Sequence, residues 1–358
     1  MVVYHSPSVS TDRPLAFDDQ GSASEFVTVV RPSVTSRVTT LFDQADLTAD
    51  LHAVEQLLIE RTHSRSDLIS RASAHSIRSG GKRLRAALAL LAARLGNYHL
   101  PNVIHAAAAV ELIQVASLVH DDLVDQTARR RGRVTVHEQW DNDVALMVGD
   151  YFFALAAAEM ARSPDSRIIA YYAQAVRTIV EGELSPVTAL EPTETALGQY
   201  YYKTGAKTAS LFEAACKAGM AAGGGSEAEI EALGRFGFDL GMAFQIIDDV
   251  LDFIGDEQAL GKPAGNDLRQ GTITLPLIMA MARTSSPRLR ALIEDGVPDD
   301  DQVPHVIREV ISAGGVADAQ AEAGRFILQA ISALAIFPPS PTLTALTNLA
   351  HFVVEREA

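Results

Sequence analysis

A single cysteine, Cys216, and a single tryptophan stand in 358 residues, and aromatic side chains make up only 6%. One thiol cannot build a disulfide framework or a cysteine-ligated zinc site. It suits a reducing compartment, so a cytoplasmic location is expected. Positive charge is short: 30 Lys and Arg against 45 Asp and Glu leave a net charge of −15, which argues against nucleic acid as a partner. No unbroken apolar run reaches about eighteen residues, so no stable membrane span is expected. The first stretch lacks Arg enrichment and an apolar core, and it carries Asp12, Asp18, Asp19 and Glu25. Neither a mitochondrial presequence nor a secretory signal fits it. Residues 1–45 read as a flexible extension ahead of one folded domain over 46–358.

Sustained β-alternation is missing too. Helical periodicity dominates, with breaks at Gly80-Gly81, Gly96, Gly223–Gly225 and Pro338-Pro339. Ser226 followed by Glu229 has the pattern of a capping box opening a helix. With 47% hydrophobic residues the chain can bury a large core, so the expected fold class is all-α.

What the chain has in place of these features is a pair of acidic motifs, DDLVD at Asp121–Asp125 and DDVLD at Asp248–Asp252, about 127 residues apart. The first and last Asp of each are four apart and share a helix face, where like charges repel by about 0.2–0.5 kcal/mol. Both motifs also fall near expected helix C-termini, where the macrodipole disfavours anions. Val103 to Val124 is apolar nearly all round, yet Glu111, Gln114, Ser117, Asp121 and Asp125 fall within an arc of roughly 120°. Gln245, Asp248, Asp249 and Asp252 fall within about 100°. A narrow polar stripe on a buried helix reads as a cavity wall; a solvated helix face is the bland alternative. Carboxylates without Cys or His pairs suit hard cations. Mg²⁺ fits, completing its shell with water and phosphate oxygens, while calcium stays open although no EF-hand loop is present.

Cations of the matching kind follow. Gly80-Gly81-Lys82-Arg83-Leu84-Arg85 places three of them at a helix entry, where backbone N–H groups favour anions. Arg129-Arg130-Arg131-Gly132-Arg133 follows the first acidic motif, Lys207-Thr208 lies in an apolar segment, and Lys262 sits in a glycine-rich loop. Each alone is an ordinary surface feature. Together with two cation-type motifs they suggest a substrate phosphate group clamped between metals.

The stretches GGKRLR, ELIQVASLVHDDLVDQTARRRG, WDNDVALMVGDYFFA, KTASLFEAA and FQIIDDVLDFIGDEQALGKPAGNDLRQGTITLPL carry a resemblance. Over about residues 46–358 the chain resembles the trans-type (all-E) isoprenyl diphosphate synthases, the polyprenyl synthetase family, and most of all its long-chain members. The resemblance implies a helical bundle around a central cavity, a homodimer or a heteromer, and a condensation of isopentenyl diphosphate with an allylic diphosphate. It implies Mg²⁺, three ions per site, bound by Asp121, Asp125 and Asp248 with Asp122, Asp249 and Asp252 in support. By the same resemblance Arg130, Lys207 and Lys262 neutralise the allylic diphosphate. Lys82, Arg85, Gln114 and Arg131 bind that of isopentenyl diphosphate, and Thr208 and Gln245 face the developing carbocation.

Product length is read from the floor of the tunnel. In the family the residues just before the first motif line it, and here Ala116 and Ser117 are small, which favours a product beyond fifteen carbons; close helix packing is the other use of small residues. Ile113 and Val110 lie deeper. The glycine-rich segment Gly255–Gly271 is expected to be a lid or a mobile connection. Departures from the family pattern are Ala86 and Val134 for Pro, Gln114 for His and Thr272 for Lys. The remaining alternatives are a twenty-carbon product, a class I terpene cyclase of the same fold, and a non-catalytic subunit of a heteromer. The intact Asp248, Asp249 and Asp252 speak against a cyclase, which usually carries an Asn/Ser/Glu motif there. His120-Asp121 resembles a metal-phosphohydrolase pair without its companions, and His137 reads as structural.

Overall fold

The computed structural model describes residues 34–79, 81–188, 190–255, 264–284, 286–287, 289 and 297–356. Its helices are α1 (Val34–Gln44), α2 (Thr48–Arg61), α3 (Asp67–Arg78), α4 (Leu84–Arg94), α5 (Leu100–Val124), α6 (Val136–Gln139), α7 (Asn142–Met160) and α8 (Arg167–Glu183). Then come α9 (Thr193–Thr204), a π-turn (Gly205–Ala209), α10 (Ser210–Ala222), α11 (Glu227–Ile254), α12 (Asn266–Arg269), α13 (Leu275–Arg283), α14 (Val303–Ser312), α15 (Gly315–Ala333) and α16 (Pro341–Val354). The all-α expectation holds.

α5 is the axis of the bundle. Pro101 sits in its first turn, where a missing N–H costs nothing. α4, α7, α10 and α2 pack around it. The reason is compositional: Val110, Leu112, Ile113, Val115 and Val119 bury on different sides, each at roughly 1.5–3 kcal/mol as an upper bound. By length and composition α5 could cross a membrane, with mean hydropathy 1.6 in its most apolar window, but 67% of that window is buried inside the bundle. It is the one such helix among the described residues. α11 packs between α10 and α15, and the expected capping box starts it: the Ser226 side chain accepts from the Glu229 N–H while the Glu229 carboxylate accepts from the Ser226 N–H.

One expectation needs correction. Folded structure begins before residue 46: α1 buries Val38 and Phe42 in the core, and Arg37 pairs with Glu355 at 3.2 Å and stacks over Phe352. Residues 1–33 lie outside the described residues. The basic run after α5 forms a short hairpin. Arg129–Arg130 (β1) and Arg133–Val134 (β2) form a minimal antiparallel pair, in register Arg129 to Val134 and Arg130 to Arg133. Arg131 (φ 51°) and Gly132 (φ 76°) occupy the two central positions of its tight turn. Positive φ at both positions matches the twist that such hairpins need, a backbone demand that one Gly in a run of Arg barely signals.

Candidate active site

The last turn of α5 carries the first acidic motif, and Asp125 caps that helix, its N–H donating to Asp121 O at 2.8 Å. Asp122 is buried and accepts from Arg130 Nε at 2.7 Å. Lys207 Nζ lies 3.5 Å from Asp121 and 2.6 Å from Glu183 of α8. Burial raises the Asp121 carboxyl to about 6, outweighing the Lys207 charge opposite. Burial also works against the Lys207 ammonium, but Asp121 and Glu183 prevail and its pKa is raised.

On α11 the second motif is tied differently. Asp248 Oδ1 meets Arg356 Nη2 at 2.9 Å. Asp249 is buried; it accepts from Tyr200 Oη at 2.6 Å and Gln245 Nε2 at 2.9 Å, and Thr208 Oγ1 donates to Gln245 Oε1 at 2.8 Å. Burial and the Asp267 charge push the Asp249 carboxyl up to about 8, against those two hydrogen bonds. Asp252 Oδ2 accepts from the Asp267 N–H at 3.0 Å, which anchors the start of α12 to the motif.

Beside these walls opens a cavity of about 710 Å³. Lys82, Arg85, Gln114, Arg130 and Arg131 line it together with Asp122, Glu111, Asp248, Phe244 and Arg356. The third cation of the GGKRLR stretch also lines the cavity but is tied to the protein: Arg83 Nη2 donates to Ile77 O at 2.9 Å, and its guanidinium lies 3.6 Å from Glu111. Arg85 stacks over Phe212 at 4.5 Å, Phe212 packs on Phe244 at 5.3 Å, and Arg356 stacks over Phe244 at 4.1 Å. Loss of solvation lowers Arg85 to about 10, with Glu111 opposing. It lowers Lys82 as well, and the Arg356 charge adds to the effect. Cations that have lost water and repel one another, beside carboxylates raised by burial, are complementary deficits. A diphosphate relieves the first and a metal ion the second.

Among the described residues no three His, Cys, Asp or Glu side chains converge into a ready metal cage. Mg²⁺ takes one or two carboxylates and completes its shell with water and phosphate. The donor set is oxygen only, so the residues fit a hard cation. Lys262 lies outside the described residues, as do residues 256–263 of the expected lid. Ala116 and Ile113 are buried in α5, and Ser117 is half-buried. His120 points to α7, with Nε2 3.1 Å from Leu146 O, and takes no part in the acidic walls. His137 Nδ1 meets the Thr135 hydroxyl at 3.2 Å, a structural contact.

Sequence reasoning did not include Glu183, Tyr200, Phe244 or Arg356 in the site. Glu183 and Tyr200 approach only because α8 and α9 flank the motif helices, and Arg356 arrives from beyond α16. Phe244 alone had a local signal, standing next to Gln245.

With this geometry in view, the comparisons with known proteins are direct. The family model described as "Polyprenyl synthetase" matches residues 66–310. Heptaprenyl diphosphate synthase component 2 of Geobacillus stearothermophilus is 36% identical over 313 residues, covering 87% of this chain and 97% of that protein. A polyprenyl synthase from Caulobacter crescentus, crystallised with calcium and isoprenyl diphosphate, superposes with a TM-score of 0.83 at 36% identity, over 90% of this chain and 98% of its own. A decaprenyl diphosphate synthase from Rhodobacter capsulatus gives 0.82 at 37%, over 90% and 99%. The all-α bundle with its two aspartate motifs, and relatives named as prenyl diphosphate synthases, define a prenyltransferase of the isoprenoid synthase fold. The chain belongs to the polyprenyl synthetase family.

Proposed function

We propose that this chain lengthens an allylic diphosphate by head-to-tail condensation with isopentenyl diphosphate, releasing pyrophosphate. The observation that carries the reading is the pairing of two carboxylate walls with a cavity where Lys82, Arg85, Arg131 and Arg356 converge. Mg²⁺, three ions by family resemblance, would be held by Asp121, Asp125 and Asp248, with Asp122, Asp249 and Asp252 in support. Bound there, it supplies charge neutralisation for the leaving diphosphate.

The chain's own residues divide the remaining work. Lys207 and Arg130, with Lys262 from the segment outside the described residues, face the allylic diphosphate as its C–O bond breaks and the electron pair leaves with pyrophosphate. Thr208 and Gln245 present oxygen dipoles to the allylic cation. Lys82, Arg85, Gln114, Arg131 and Arg356 hold isopentenyl diphosphate so that its double bond attacks that cation. A new C–C bond forms, and the proton lost next to it goes to the departing pyrophosphate. Water has to be excluded, because it would quench the cation.

The product is read as longer than fifteen carbons, in the long-chain class: the family resemblance puts Ala116, with only a methyl group, at the tunnel floor. Relatives named for heptaprenyl and decaprenyl products support this. The catalytic unit runs from Val34 onward, and we place it in the cytoplasm. Leu146 and Met147 leave an apolar patch on α7, 44% and 56% exposed, that suits a second copy. The Geobacillus relative is called a component, so a different subunit is the competing partner.

The test is turnover of purified protein with Mg²⁺, labelled isopentenyl diphosphate and allylic primers of increasing length, with products resolved by carbon number. Long polyprenyl diphosphates are expected. A single twenty-carbon product would keep the reaction and discard the long-chain reading. Absence of condensation, alone and with a partner subunit, would refute the assignment.

A further inference from the structure

Lys207 and Thr208 do not sit on a regular α-helix. Gly205–Ala209 is a π-turn joining α9 to α10, a rare local winding that persists where surroundings hold it. Two neighbouring helices press against this turn, and each meets it with a glycine. A Cβ placed on Gly182 of α8 would fall 2.5 Å from Ala206 Cβ, and its next neighbour, Lys207 N, is at an ordinary 3.5 Å. A Cβ on Gly241 of α11 would fall 2.6 Å from Ala209 Cα and 3.1 Å from Ala209 Cβ. Neither glycine is among the residues with positive φ, so backbone conformation does not require it. In a helix interior Ala is the better residue by about 0.8–1 kcal/mol. Only the close approach explains both.

The sequence neighbours make the consequence specific. Gly182 touches Ala206, and the very next residues, Glu183 and Lys207, form the 2.6 Å ion pair. Gly241 touches Ala209, the residue after Thr208, whose hydroxyl reaches Gln245 one helical turn along from Gly241. We propose that Gly182 and Gly241 are positioning residues: they clamp the π-turn and thereby set where Lys207 and Thr208 stand relative to Asp121 and Gln245. The inference rests on the role given above to Lys207 and Thr208.

The experiment is a rescue cycle, read by steady-state kinetics with Mg²⁺ and by thermal melting. Gly182→Ala displaces Ala206 by about 1 Å, a shift able to cost up to about 100-fold in rate. A drop in kcat of tenfold or more is expected, with KM for isopentenyl diphosphate within about twofold, since Lys207 and Thr208 are not among the residues lining the cavity that receives it. Adding Ala206→Gly removes the only short contact among the described residues and should return kcat to within about threefold of wild type, with a melting temperature no lower than that of Gly182→Ala. Gly241→Ala meets backbone, so Ala209→Gly should leave it slow. The clamp is overturned if Gly182→Ala turns over normally, or if the double variant stays as slow as the single. Lys207→Ala separates the two layers. Normal turnover in that variant withdraws the role of Lys207 itself, whereas slow Lys207→Ala beside fast Gly182→Ala withdraws the clamp alone.

Discussion

Arg356 offers the sharpest test of the cationic cavity, because nothing local in the sequence marks it. Its side chain is only 9% exposed, stacked on Phe244 at 4.1 Å and bonded to Asp248 at 2.9 Å and to Phe244 O at 2.9 Å. If it serves isopentenyl diphosphate, Arg356→Ala removes a charge-assisted hydrogen bond of about 1.5–3 kcal/mol. Against this, the substrate-free enzyme loses the Asp248 pair, whose carboxylate is 41% exposed and which is worth at most about 1 kcal/mol. The difference of about 1–2 kcal/mol is a rise of roughly five- to thirtyfold in KM for isopentenyl diphosphate. kcat should change less than KM, since Arg356 reaches the chemistry only through Asp248. Arg356→Lys keeps the charge but loses the fork and much of the stacking, so it should fall between. Initial rates over a concentration series of each substrate decide it. Unchanged KM for isopentenyl diphosphate, or a loss confined to kcat, would refute the assignment of this side chain to the cavity.

Three further outcomes are expected. Asp121→Ala and Asp248→Ala should each lower Mg²⁺-dependent turnover by about 10²-fold or more; near-normal rates in either would remove that residue from the metal site. Ala116→Phe places a ring at the tunnel floor and should shorten the product, read by mass spectrometry; an unchanged product distribution would end the floor argument. Asp239 of α11 tests the electrostatics away from the site. Burial raises its carboxyl to about 6, against the charges of Arg325 and Arg235, while the unfolded chain titrates near 3.9. The folded state therefore holds the proton more tightly. That stability is complete below about pH 4 and is lost as pH rises through about 6. The full shift corresponds to about 3 kcal/mol, nearer 1 after screening at a half-buried site. Asp239→Asn should raise the urea midpoint at pH 7 and flatten its fall between pH 4 and 7; parallel pH profiles for the two proteins would count against the shift.

How far the site was legible follows from the range of the forces that build it. The DDxxD motifs could be read because their spacing acts within one helix: four residues bring two carboxylates together whatever the rest of the chain does. The same holds for the Ser226–Glu229 capping box and for α5, whose all-round apolar surface admits only a central place. Lys82 and Arg85 were recognised by pattern, but that Arg83, between them, turns inward to Ile77 O was not, because all three look alike until α3 is packed. Glu183, Tyr200 and Arg356 lie far along the chain from the groups they touch. Their roles are set by which helices become neighbours, and only the folded bundle supplies that. The β1–β2 turn fails differently: its geometry depends on Arg131 accepting a left-handed backbone, a strain of about 1 kcal/mol or more that residue preferences argue against. Such strain persists only where surroundings hold it, and here the held residue is one whose guanidinium lines the cavity. Local preference therefore misleads most where the site demands an unusual backbone. Among the described residues such places include Arg83, the Arg131–Gly132 turn and the π-turn that carries Lys207 and Thr208.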